Sequence, residues 1–120
     1  MNIETRLQKI EYKGKEIVKV DYRHCNEAQL IALTRLHKEL ILKENKKSLF
    51  LANYEHTFGT PDYMSAAKDF TESTRHLVTK GAFLGITGPK IFLLKGITYF
   101  VKVDFKIFND EADALDWLIS

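Results

Sequence analysis

Leu49-Phe50-Leu51-Ala52, the loop Asn53-Tyr54-Glu55-His56-Thr57-Phe58-Gly59 and then Thr60-Pro61-Asp62 form the stretch that decides the fold. Four apolar residues in a row show no solvent-facing alternation, which is the pattern of a strand covered on both faces of a parallel sheet. Past the loop, Thr60 has the hydroxyl of a helix N-cap. Pro61 suits the first helical position, where its missing N–H costs nothing, and Asp62 meets the positive helix end. Met64, Ala67, Phe70, Thr74 and Leu77 make the expected inward stripe. A buried strand feeding a capped helix is half of a β-α-β unit.

The flanking sequence extends this pattern. Upstream, residues 7–12 and 16–21 read as two strands joined by Lys13-Gly14, a two-residue hairpin whose Gly tolerates positive φ. Residues 26–44 then put Leu30, Leu33, Leu36, Leu40 and Ile41 on one helical face, with Asn26 as cap. Downstream, residues 82–86 read as a second buried strand. Pro89 opens a third helix through Ile91, Leu94 and Ile97, weakened near its end by Gly96. Residues 105–108 form a last strand, and Asn109 is read as the cap of a final helix holding Ala112, Leu115, Trp117 and Leu118. The expectation is an α/β domain in the order β-β-α-β-α-β-α-β-α, with a mixed, mostly parallel sheet of about five strands and four helices. Helical returns between strands favour parallel pairing through right-handed crossovers.

Composition sets the outer bounds. In 120 residues, 45% are hydrophobic and 28% charged, ordinary values for a globular domain. This excludes a disordered tail, a collagen-like chain and a disulfide scaffold. Two cores would leave each half near the size that struggles to fold alone, so residues 1–120 are read as one domain. The charge balance is +3 over residues 1–60 and −1 over residues 61–120. That is too even for the concentrated basic face of a nucleic-acid binder. Cys25 is the only cysteine, which fits a reducing compartment. No secretory signal and no apolar run of membrane-spanning length are visible, so a cytoplasmic protein is expected.

A family resemblance rests on three segments: Gly14-Lys15-Glu16-Ile17-Val18-Lys19-Val20-Asp21-Tyr22, Lys80-Gly81-Ala82-Phe83-Leu84-Gly85-Ile86-Thr87-Gly88, and Ile107-Phe108-Asn109-Asp110-Glu111-Ala112 with Ala114-Leu115-Asp116-Trp117-Leu118. Together with the long first helix they resemble the bacterial STAS/SEC14-domain proteins, the SpoIIAA-like group, over nearly the whole chain. The resemblance implies a β-α domain related in shape to anti-sigma-factor antagonists. Those proteins carry a phosphorylatable Ser in a D-S-x-G-type turn before the second helix. The matching stretch here, Thr57-Phe58-Gly59-Thr60-Pro61-Asp62, has no Ser and no Asp-Ser pair. Thr57 and Thr60 are the remaining hydroxyls, and Thr60 is expected to serve as a cap.

Other chemistry-bearing patterns are sparse. His24, His37, His56 and His76 show no metal-ligand spacing, so no metal or cofactor is expected. Asp21, Arg23, His24 and Cys25 crowd one turn, but neighbours on an extended chain point to opposite sides, which argues against a Cys-His nucleophile. Gly85-Ile86-Thr87-Gly88-Pro89-Lys90 lies at a strand-to-helix handover, yet it matches neither a Walker loop nor G-x-G-x-x-G. His56, with Asn53 and Glu55 nearby, is the weakest of three functional readings, that of an acid–base enzyme. The favoured reading is a non-enzymatic regulatory or protein-interaction module of the STAS type, engaging a protein partner or a second copy. Its contact surface is placed at Asn53, Tyr54, His56, Thr57, Phe58, Thr60 and Tyr63, at the carboxyl end of the sheet. The alternative is a binder of a small lipid-like or anionic ligand at the same end, although a filled core leaves little room for a pocket of several hundred cubic ångströms.

Overall fold

The computed structural model describes residues 2–120; Met1, part of the expected 1–120 domain, lies outside the described residues. Its five strands lie side by side in chain order: β1 (Leu7–Tyr12), β2 (Lys15–Asp21), β3 (Ser48–Asn53), β4 (Val78–Leu84) and β5 (Phe105–Phe108). Helices α1 (Glu27–Glu44), α2 (Pro61–Thr74), α3 (Pro89–Phe100) and α4 (Glu111–Leu118) alternate with them, giving the expected order. A short 3-10 turn at Ile3–Arg6 precedes β1 and was not anticipated.

β1 pairs antiparallel with β2, with Ile10 opposite Ile17. Lys13 and Gly14 both take positive φ, as the tight hairpin requires. The other three pairings are parallel. Strand alternation then sorts side chains onto two faces. Val18, Val20, Phe50, Ala52 and Phe83 face α1, α2 and α3, where they pack with Leu30, Leu33, Ile41 and Phe70. Ile17, Leu51, Ala82 and Leu84 face α4 and meet Ala114, Leu115 and Leu118.

Local chemistry sets most of the ends. Asn26 and Gln29 cap α1 reciprocally at 2.9 Å each, and Asn45 closes it in the left-handed conformation. The Thr60 hydroxyl accepts from the Tyr63 N–H at 3.2 Å, with Pro61 at the first helical position. Two expectations are corrected. The cap of α4 is Asp110, whose carboxylate accepts from the Asp113 N–H at 3.0 Å, and not Asn109. β4 begins at Val78 and ends at Leu84, because Gly85 turns away at φ +76° and leaves Ile86 outside the strand. α3 includes Gly96 and Ile97, as expected, and continues to Phe100.

α4 is held at its C-terminal end as well as by its apolar face. Lys80 Nζ donates to the carbonyls of Trp117 and Ser120, both at 3.0 Å, where the helix carries its negative pole. From β1, at the sheet edge, Tyr12 Oη donates to Asp116 at 2.6 Å. α3 is built differently. Although it is the most apolar of the helices, none of its described side chains is buried, and Phe92 and Leu93 are exposed. It leans on the core through Ile91 and Leu94.

Candidate functional site

The loose seating of α3 leaves a cavity of about 70 Å³ between the sheet and the helices on its first face. Its floor is Phe50 and Ala52 from β3, Phe83 from β4 and Phe105 from β5. Leu30, Thr34 and His37 enter from α1, and Met64, Ala67 and Phe70 from α2. Leu93, Leu94 and Ile97 of α3 form the outer wall, and Phe58, Gly59 and Lys90 stand at the rim.

Polar groups in this apolar shell are few, and nearly all are spoken for. Tyr22 Oη and Thr34 Oγ1 share a hydrogen bond of 3.0 Å, and Tyr54 Oη and Tyr63 Oη share one of 2.6 Å. The Tyr22 and Tyr54 rings stack at 4.5 Å, almost parallel. Burial pushes the hydroxyls of Tyr22, Tyr54 and Tyr63 above their ordinary range, so all three stay protonated and uncharged. The Thr57 hydroxyl donates to the Tyr54 carbonyl at 2.8 Å. His37 is only 1% exposed, its ring set between Phe50 and Phe70 at centroid distances of 5.1 and 4.8 Å. Burial lowers its pKa to about 3, which keeps it neutral at physiological pH. Its Nε2 has no hydrogen-bond partner.

Lys90 straps the rim. Its Nζ donates to the Tyr54 carbonyl at 3.1 Å and to the Gly85 carbonyl at 2.9 Å, tying the loop after β3 to the turn after β4. The Tyr54 N–H also donates to the Leu84 carbonyl at 2.8 Å. This use of Lys90 gives the Gly85–Lys90 turn a bracing role.

The expected contact residues divide between inside and outside. Thr57 and Tyr63 are buried and Tyr54 is half-buried, so these three line the cavity where an outer contact surface was expected. Asn53 turns its side-chain oxygen back to accept from the Glu55 N–H at 3.0 Å. Thr60 is committed to its cap. Phe58, 82% exposed, and His56 do face solvent. His56 lies against His24, with their rings stacked at 4.9 Å and both backbones at positive φ. Sequence spacing had kept these two histidines apart.

His37, Thr34 and Tyr22 were missed by the sequence reading. The signal was available on α1: residues 30, 33, 34, 37 and 41 fall on one stripe, two of them polar. Cys25 is buried, and burial raises its thiol pKa, the opposite of nucleophile activation. A disulfide reagent is therefore expected to modify Cys25 at least tenfold more slowly in the native protein than in urea, followed by absorbance. Equal rates would mean that the turn before α1 opens freely. Among the described residues, no group of three or more His, Cys, Asp or Glu side chains gathers as a metal site would require.

No protein-family model matches the chain, and no curated protein matches it. A solved structure does. It is an uncharacterised protein of the DUF3478 family from Shewanella loihica PV-4, described as having a SpoIIAA-like fold, with a TM-score of 0.67 and 16% identity. The match covers 93% of this chain and 91% of that one. The chain thus has the SpoIIAA-like fold, as the resemblance implied. No helix is long and apolar enough to cross a membrane, among the described residues.

Proposed function

We propose that this protein binds a small, mainly apolar ligand in the cavity beneath α3, and holds it without transforming it. The observation that carries this reading is the cavity itself: a space lined by Phe50, Met64, Phe83, Leu94 and Ile97 that the core leaves unfilled. Apolar cavities take up small apolar guests. Binding without catalysis is supported by the state of the titratable groups inside. A general acid or base works best with a pKa near the operating pH. His37 is far below it and the three tyrosines are above it.

Methyl-resolved NMR with dissolved xenon as the guest tests this. Saturable shifts are expected at Leu30, Met64, Leu94 and Ile97, and they are expected to disappear in Ala67→Leu, which places three more carbons in the space. Shifts confined to the protein exterior, or none, would remove the reading.

A second reading, a regulatory protein-interaction module, is supported by the outer rim. Phe58 is 82% exposed and Phe92 is 76% exposed, beside the exposed Leu93. Large apolar side chains held in water can mark contact surfaces. A second copy of this chain is the simplest occupant, and light scattering of the native protein against a Phe58→Ser, Phe92→Ser double variant reads it. A concentration-independent monomer in both would exclude self-association.

A further inference from the structure

Resting on the ligand-binding reading, we infer that the ligand is an uncharged alcohol or phenol whose hydroxyl is seated on His37 Nε2. Among the described residues, this nitrogen is the one fully buried side-chain N or O without a hydrogen-bond partner, and its residue lines the cavity. Native proteins pair the large majority of their buried polar groups, so an orphan lining a cavity points to what the cavity receives. The neighbouring polar atoms do not compete for the same guest. The Tyr22 and Thr34 hydroxyls are already bonded to each other, as are those of Tyr54 and Tyr63, so each of these four oxygens has a partner where His37 Nε2 has none. Thr71 and Thr74 donate back to the carbonyls of Ala67 and Phe70 in their own helix.

Charge chooses between ligand classes. A carboxylate or phosphate placed beside His37 would be buried among Phe50, Phe70 and a neutral imidazole, with no counter-ion to offset desolvation. The nearest cation in the lining, Lys90, is at the rim and holds two carbonyls. An ammonium group fares no better, since no carboxylate lines the cavity. A hydroxyl suits the site because it both donates and accepts, and so satisfies Nε2 in either neutral tautomer. A ketone or ether would serve only if Nε2 carried the proton. The cavity volume of about 70 Å³ admits a guest of a few heavy atoms.

The probes are 1-butanol, 1-chlorobutane of equal heavy-atom count, and butanoate, titrated by NMR into the wild type and His37→Leu. Chlorobutane is the more apolar, so its raw affinity is no measure of the hydrogen bond; the ratio between the two guests is. The butanol-to-chlorobutane affinity ratio is expected to fall about tenfold in His37→Leu, the worth of one net hydrogen bond. The wild-type His37 Nε2 resonance is expected to shift with butanol and not with chlorobutane. Butanoate is expected to bind at least tenfold more weakly than butanol. If both neutral guests bind with a ratio that His37→Leu leaves unchanged, or if butanoate binds best, this inference fails while the cavity remains a binding site. If neither neutral guest enters, the ligand-binding reading fails with it.

Discussion

Gly85→Ala is expected to destabilise the protein by about 3 kcal/mol or more, combining the cost of a left-handed backbone for an L residue with overpacking. The residue sits at φ +76°, and a Cβ there would meet the backbone of Glu55 and come within 2.8 Å of the Tyr54 carbonyl carbon. These are main-chain atoms, already fixed by the Tyr54–Leu84 hydrogen bond and by Lys90, so no side chain can swing aside. The change therefore pushes the loop after β3 off the turn after β4, at the rim of the cavity. Gly96→Ala is the contrast. A Cβ there meets nothing within 4 Å and lies inside α3, so it is expected to stabilise by about 0.5–1 kcal/mol. Urea unfolding of both variants reads the pair. A Gly85→Ala loss below about 1 kcal/mol would mean that the two loops separate easily.

The second large effect concerns acid. In the unfolded chain His37 takes up its proton near pH 6.5, whereas in the folded protein it resists until about pH 3. A depressed folded pKa contributes stability that is fully present above 6.5 and is lost as the pH falls. The slope is about 1.4 kcal/mol per pH unit, or about 4–5 kcal/mol by pH 3. Carboxylates add their own acid sensitivity, so the contribution is isolated by comparison with His37→Leu. That variant removes the orphaned nitrogen and is expected to gain about 1–3 kcal/mol at pH 7. From pH 6.5 to 4.5 the wild type is expected to lose about 2 kcal/mol more than the variant does. Parallel profiles in urea melts would show an imidazole that titrates as it does in water.

Much of the fold was legible because its signals are local. Asn26 with Gln29, Thr60 with Pro61, and Lys13-Gly14 each announce an end through nearest-neighbour chemistry, and the structure uses all three. Asn109 and Asp110 are both good caps, and which of them serves depends on a rotation of one residue that spacing does not encode. The cavity was legible only in part. Strand parity does place Tyr54 on the face of Phe50 and Ala52, although its position past the end of β3 invites a loop reading. A helical stripe counted by apolar residues alone omits Thr34 and His37, the polar members of the inner face of α1. Whether facing side chains fill the space between them is a property of three dimensions. Periodicity identifies which face of α3 turns inward, not how closely that face is seated.

The sheet order has a consequence for assembly on the ribosome. Each strand settles against the one synthesised just before it, so a nascent chain can extend its sheet edge by edge and never has to wedge a late strand between two early ones. Until α4 arrives, however, Ile17, Leu51, Ala82 and Leu84 form a sticky, half-dressed surface. The eight residues of that final helix are what turn a growing ribbon into a finished particle.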